Sequence, residues 1–193
     1  DAMRRDLLPA LVLFLLLTLL TGLAYPLAVT GLAQLLFREP ASGSLVLRDG
    51  KPVGSALIGQ PFSDPKYFWS RPSATSPQPY NGLASAGSNL GPTNPTLVEA
   101  TRERVDALRR ADPDNEAPVP MDLVTASGSG PDPHISLAAA EYQLRRVARA
   151  RGLDESTLKA LVAKQAEPRW LGLIGEPRVN VLRLNLALDG ATD

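Results

Sequence analysis

The residue type best suited to acid–base chemistry occurs once in this chain, as His134 in an Asp-Pro-His sequence. A serine hydrolase would use this imidazole as the general base between a serine nucleophile and an orienting carboxylate. Ser127 or Ser129 could supply the nucleophile, and Asp132 or Asp122 the carboxylate. The glycine-rich stretch around the serines does not match the G-x-S-x-G turn between a strand and a helix. The sequence therefore favours a structural role for His134, satisfying backbone groups at a helix start, over a membrane-tethered periplasmic serine hydrolase.

Other binding chemistries have weaker support. The chain has no cysteine, and one histidine with scattered carboxylates does not predict a metal site. The glycines between positions 82 and 91 are not followed by the Gly-Lys-Ser/Thr of a phosphate-binding loop. Four arginines of one predicted helix could bind a phosphate, but they are more typical of a solvated helix face: Arg145, Arg146, Arg149 and Arg151. We therefore predict no catalytic residue, bound cofactor or metal in this chain.

The aromatic side chains are concentrated in residues 61–95. This stretch holds seven prolines, five of the ten aromatic residues and only three charged residues. Long loops without regular structure are usually functional or disordered, and disordered segments are poor in aromatics. Consecutive rings could stack on bases or sugars, but the segment has no basic stripe, and acidic and basic residues balance at 20 each in the whole chain. We therefore expect no nucleic-acid binding and an ordered, extended loop whose rings pack against protein.

The elements that position these residues begin with a membrane anchor. No charged residue occurs from Leu7 to Phe37, and about 20 apolar residues cross a bilayer as one helix. A signal peptide would have a shorter apolar region. We predict a cytoplasmic N-terminus at 1–6, a transmembrane helix at 7–30 and a periplasmic domain at 31–193. Arg4 and Arg5 before the span set this orientation by the positive-inside rule, which corresponds to a single-pass protein of a bacterial inner membrane in contact with lipid.

The domain after the span has α+β patterning. Alternating apolar residues and the Asp49-Gly50 turn predict a hairpin within residues 44–59. Helical spacing and capping residues predict helices that begin after Asn94, Ser136 and Asp154. Alternation predicts further strands at 119–126 and, most clearly, at 179–188. The fold class is therefore a single N-terminal transmembrane helix followed by one α+β domain.

Several long motifs, in the right order along the whole chain, resemble the C subunit of the bacterial Kdp potassium-transporting ATPase. They are YFWSRPSA at 67–74 with Tyr80-Asn81, AGSNLGPTNP at 86–95, DPHIS at 132–136 and GEPRVNVLRLN at 175–185. One local departure is Pro131, where the family pattern has leucine. The resemblance implies an accessory component of an ATP-driven potassium uptake complex, whose partners are the channel-like potassium pore subunit, the P-type ATPase subunit and one very small subunit.

The same resemblance implies that this subunit stabilises the complex and serves as a catalytic chaperone that raises the ATP affinity of the ATPase subunit. The chain itself lacks the Asp-Lys-Thr-Gly phosphorylation motif and the Thr-Val-Gly-Tyr-Gly filter, so ATP and potassium would act through the partner subunits. We expect the 61–95 loop to dock on its own domain core and on the outer face of the pore subunit. The candidate docking residues are Tyr67, Phe68, Trp69, Arg71, Tyr80, Asn81 and Asn89.

Overall fold

The N-terminal part of the chain is a long apolar helix. The structure, a computed structural model, describes residues 2–190, so Asp1 of the predicted N-terminal segment lies outside the described residues. Helices α1 (Ala2–Leu19) and α2 (Tyr25–Leu36) are joined by a π-helical turn, Leu20–Ala24. This π-helical turn includes Gly22, four residues before Pro26, and so gives room to the carbonyl that the proline ring crowds.

The stretch Arg5–Leu36 is long and apolar enough to cross a bilayer. Its 32 residues extend about 48 Å at 1.5 Å per residue, more than a hydrocarbon core of about 30 Å requires. A candidate membrane span is therefore present, as predicted. Its limits at 7–30 and its orientation remain predictions.

By its internal contacts the chain divides into two units, the first ending at Leu45 and the second starting at Val46. A short helix α3 (Arg38–Ala41) belongs to the first unit. The predicted hairpin is confirmed as strands β1 (Leu45–Arg48) and β2 (Lys51–Ser55). Its turn residues Asp49 and Gly50 have φ of +53° and +73°, which suits the Asp-Gly turns that match the twist of a hairpin.

The second unit, hereafter the globular domain, packs four helices around a small sheet. Strands β3 (His134–Ser136), β4 (Ala166–Glu167) and β5 (Arg178–Asn180) are antiparallel in the order β3-β5-β4. The helices are α4 (Pro95–Ala111), α5 (Leu137–Arg151), α6 (Glu155–Gln165) and α7 (Val181–Asp189). The domain is thus α+β, as the sequence predicts.

The predicted starts of three helices are confirmed by their caps. The side chains of Asn94, Ser136 and Asp154 accept hydrogen bonds from the backbone N–H groups of Thr96, Ala139 and Ser156, which satisfies donors that have no partner within the helix. Gly152 ends α5 in the left-handed conformation. Local sequence chemistry therefore determines where these helices begin and end.

The strand predicted at 179–188 is wrong beyond Asn180. β5 ends there, and the Asn180 side chain caps helix α7 by accepting from Arg183 N–H at 3.1 Å. The stretch satisfies two periods at once, because Val181, Leu184 and Leu188 also recur at helical spacing and are buried. Tertiary burial of that helical face decides between the two patterns.

The strand predicted at 119–126 is also wrong. The chain forms a single 3₁₀ turn at Met121–Leu123, where neighbouring prolines cannot donate to a β-ladder. Asp122 accepts from the backbone N–H of Ser136 at 2.7 Å. The turn thus places this carboxylate at the start of α5 and buries Leu123 and Val124.

Candidate functional site

The chain contains no helix or strand throughout residues 56–94, all of which the structure describes. Within this stretch, residues 67–71 form what we call the aromatic segment, which lies against helices α5 and α7. Phe68 is fully buried in the hydrophobic core, and Trp69 is partly buried against that core. Phe68 therefore packs on the core of its own domain, and contact with a partner stays a prediction for the exposed residues of the loop.

Two side-chain amides bind the backbone of the aromatic segment. Asn185 on α7 accepts from Phe68 N–H at 2.9 Å and donates to Phe68 C=O at 3.0 Å. Gln143 on α5 accepts from Trp69 N–H at 2.7 Å and donates to Trp69 C=O at 3.3 Å. Each amide thus binds both the N–H and the C=O of one residue, as a residue of a neighbouring strand would in a sheet. The buried backbone groups of the segment therefore have hydrogen-bond partners although no sheet is formed there.

Arg146 completes the attachment. Its guanidinium donates to the carbonyls of Pro65 and Tyr67 at 2.5 and 3.1 Å and to Gln143 Oε1 at 2.6 Å. It also lies 4.2 Å from the centroid of the Trp69 ring, within cation–π distance. Burial lowers the pKa of Arg146 to about 10. The predicted solvated arginine face is therefore wrong for this residue, which is 5% exposed.

Tyr67 is held by a charged cluster at the end of α7. Asp189 accepts from the Tyr67 hydroxyl at 3.2 Å, from Arg48 at 3.1 Å and from Arg151 at 2.6 Å. Burial alone would raise the pKa of Asp189. Hydrogen bonds from Arg151, Arg48 and Tyr67 outweigh this effect and hold the pKa below its ordinary value. The cluster ties the hairpin, α5 and α7 to the aromatic segment.

We expect the substitution Asp189→Asn to reduce the free energy of unfolding at neutral pH by about 1–3 kcal/mol, because it weakens charge-assisted hydrogen bonds. A carboxylate whose pKa is lowered by folding stabilises the fold above its unfolded pKa and loses that contribution as the pH falls through the folded value. Denaturation of the two proteins should therefore give a difference that shrinks below pH 3.8. A difference that is constant down to pH 2 would contradict this assignment.

Three further candidate docking residues also make contacts inside the domain. Arg71 donates to the carbonyls of Thr125 and Ala126 at 3.2 and 3.3 Å. Tyr80 donates to Arg71 C=O at 2.7 Å, and Asn81 Oδ1 accepts from the N–H of Leu83 at 3.0 Å. They shape the loop from within rather than projecting from it.

Beyond the aromatic segment, most of residues 76–93 are exposed, although Tyr80 and Asn81 are half-buried; we call this range the exposed strip. It has no charged residue, and Leu83 is 100% exposed. Asn89, the remaining candidate residue, is exposed with a φ of +53°. The strip is nevertheless fastened to the domain, because Ser85 Oγ donates to Ser129 C=O at 2.8 Å.

The glycine-rich stretch around Ser127 allows the exposed strip to contact the domain closely. A Cβ at Gly130 would lie 2.5 Å from the carbonyl oxygen of Ala86, and Gly130 has a φ of +85°, a conformation that glycine adopts without strain. Ser127 is buried and its Oγ accepts from Gly130 N–H at 2.8 Å. Glycine there permits close approach of the exposed strip.

His134 faces carboxylates rather than a serine. Its Nδ1 lies 3.5 Å from Asp132 Oδ1 and its Nε2 lies 3.6 Å from Glu167 Oε2. Ser136 caps α5, so the prediction that His134 satisfies the backbone there is wrong. Burial alone would raise the pKa of Asp132, but hydrogen bonds from His134 hold this pKa below its ordinary value. With both ring nitrogens facing carboxylates, His134 is not placed as the base of a serine triad.

A surface cleft of about 420 Å³ lies beside His134. Two of its carboxylates already have partners, since Asp132 contacts both Arg71 and His134 and Asp122 accepts from the backbone N–H of Ser136. Among the described residues, no group of three or more His, Asp or Glu side chains could hold a metal ion. Few polar side chains of the cleft are therefore left to bind a ligand.

Sequence reasoning missed the three side chains that hold the aromatic segment, Gln143, Arg146 and Asn185. The available signal was polarity within apolar helical stripes. Asn185 lies between Leu184 and Leu188 on the buried face of α7, where a polar group needs a partner.

Comparison with known proteins identifies relatives along almost the whole chain. Residues 7–190 match the family model described as KdpC, the c chain of K+-transporting ATPase. A potassium-transporting ATPase KdpC subunit of Sorangium cellulosum (strain So ce56) is 69% identical over 183 residues, which cover 95% of this chain and 96% of the relative. The KdpC subunit of Polaromonas naphthalenivorans (strain CJ2) is 68% identical, with 97% of this chain and 95% of the relative covered.

Proposed function

Since the chain belongs to the KdpC family of K+-transporting ATPase c chains, we propose that it is a non-catalytic subunit that braces the transporter from outside the membrane. The exposed strip docks on the pore subunit, and the aromatic segment holds the strip in shape. Together with the anchor helix, this contact stabilises the assembly of the pore, ATPase and small subunits.

The observation that carries this proposal is the contrast between the two halves of the loop. The aromatic segment is bound by buried side chains of α5 and α7. These contacts within the subunit offset the conformational entropy that is lost when the segment is ordered. The exposed strip is uncharged, and charged residues are depleted at the centres of protein interfaces. A preorganised, uncharged strip suits docking because little further ordering is needed.

The orientation and the effect on ATP follow from the anchor. By the positive-inside rule, arginines near the start of the span favour a globular domain on the periplasmic side, away from cytoplasmic ATP. An increase in the ATP affinity of the ATPase subunit would then be a coupling free energy transmitted through subunit contacts. The chain would act as a catalytic chaperone without touching the nucleotide.

Replacing Leu83 by glutamate tests the docking strip. The side chain is 100% exposed, so the fold should be unaffected, while a charge placed in an uncharged interface should be costly. We expect several-fold less of the other subunits to co-purify with the tagged variant in detergent. The matched control is Met121→Glu, at a side chain that is 75% exposed in another part of the domain, and it should retain its partners. Full co-purification with Leu83→Glu would refute docking through the strip.

Replacing His134 by alanine separates a bracing subunit from a periplasmic hydrolase. Because His134 contacts two carboxylates at 3.5 and 3.6 Å and no serine hydroxyl of residues 2–190, we expect potassium uptake of the assembled transporter to change little. The comparison is made with the natural chain at equal amounts of assembled complex. Loss of uptake in a variant that still assembles would favour the enzymatic alternative.

A further inference from the structure

A second exposed surface lies at the tip of the loop between β4 and β5. Four large apolar side chains there are exposed by 61–82%: Trp170, Leu171, Leu173 and Ile174. Residues 170–175 have no charged side chain, and the Trp170 indole is their only polar side-chain group. This apolar tip has no role in holding the aromatic segment, and residues 76–93 do not include it.

The apolar tip is preformed rather than loose. Trp170 and Ile174 exchange backbone hydrogen bonds at 2.9 and 3.0 Å, and Arg169 pairs with Glu176 at 2.7 Å across the base of the loop. Leu171 adopts a φ of +52°, which is uncommon for a bulky residue. The backbone thus keeps the apolar side chains pointing away from the core instead of letting them bury themselves.

We propose that the apolar tip inserts into the interfacial layer of the same bilayer that holds the anchor helix. The side chains of the tip are at least as exposed as leucines of the anchor such as Leu13 and Leu16, which are each 58% exposed. The candidate membrane span ends at Leu36 and the globular domain begins at Val46, so the tip belongs to a chain that is already attached to a bilayer.

The composition of the tip favours lipid over a protein groove. A protein interface uses a polar rim and hydrogen bonds to set its register, whereas lipid requires only apolar area and tolerates the indole at the headgroup level. The Arg169–Glu176 pair at the base is neutral as a unit and would remain in the headgroup layer. Insertion would give the domain a second attachment to the membrane, independent of docking through the exposed strip.

Tryptophan fluorescence tests this inference, because the chain has only two tryptophans. In the full chain reconstituted in phosphatidylcholine vesicles, the Trp69→Phe variant leaves Trp170 as the reporter. Its emission should shift to shorter wavelength and be quenched by lipids brominated on the acyl chain. The Trp170→Phe variant, which reports on Trp69, should show no such quenching. Equal quenching of the two reporters, or none of Trp170, would overturn the inference.

Single cysteines provide a second measurement in the assembled transporter, since the natural chain has none. Leu173→Cys carrying an environment-sensitive dye should be quenched by spin-labelled lipid both in the isolated chain and in the complex in nanodiscs. Leu83→Cys, at another exposed leucine, is the matched control and should not be quenched by lipid. A dye at position 173 that is shielded from water only when other subunits are present, without lipid quenching, would show a protein groove instead and contradict insertion.

Discussion

Replacing Phe68 by alanine is expected to lower the free energy of unfolding of the globular domain by about 3–5 kcal/mol, the usual range for removing a buried aromatic ring. Phe68 is 0% exposed and belongs to the core cluster formed with side chains of α5, α6 and α7. The loss should appear in chemical denaturation of the full chain in detergent, followed by circular dichroism.

Phe62→Ala is the matched control for this substitution. Phe62 is only partly buried and packs at the margin of the same core, so its removal should cost clearly less. Equal losses for the two variants would contradict the deeper burial of Phe68. The effect on assembly should follow the loss of stability, since the exposed strip depends on the aromatic segment for its position.

Replacing Asn185 by leucine has the second-largest expected effect, a loss of about 2–4 kcal/mol. Leucine has the same branching and number of side-chain heavy atoms as asparagine and favours a helix more strongly. It nevertheless leaves the buried N–H and C=O of Phe68 without partners, and each unsatisfied group costs about 1–3 kcal/mol. The variant should also release the loop, which limited proteolysis of residues 61–95 would detect before global unfolding.

Arg183→Leu is the control on the same helix. Arg183 lies on the exposed side of α7, so exchanging a polar side chain for leucine there should change stability little. A similar loss for both variants would point to a general intolerance of α7 to leucine. It would remove the case for the Asn185 amide as the partner of the Phe68 backbone.

Local signals in the sequence predict much of this fold. Asn94, Ser136, Asp154 and Gly152 mark helix ends by side-chain or backbone chemistry that acts within a few residues. The same local logic fails for α7, because Leu residues at alternate positions fit a strand as well as a helix. Only burial against the rest of the domain distinguishes the two.

The candidate site is less predictable because its contacts are distant in sequence. Asn185 meets Phe68 across 117 residues, and Gln143 meets Trp69 across 74. No pattern within a window of the sequence indicates such pairs. The composition of residues 61–95 indicates that the loop is ordered, but not that its backbone is held by side-chain amides or that Phe68 faces inward.

The most direct measurement is photo-crosslinking from position 83 in the assembled, membrane-embedded transporter. A photoreactive amino acid in place of Leu83, at the fully exposed point of the strip, should form a covalent adduct with the pore subunit. Position 121, on another exposed side chain, should not form this adduct. An intact complex in which position 83 crosslinks to no other subunit would contradict the proposal that this strip braces the transporter.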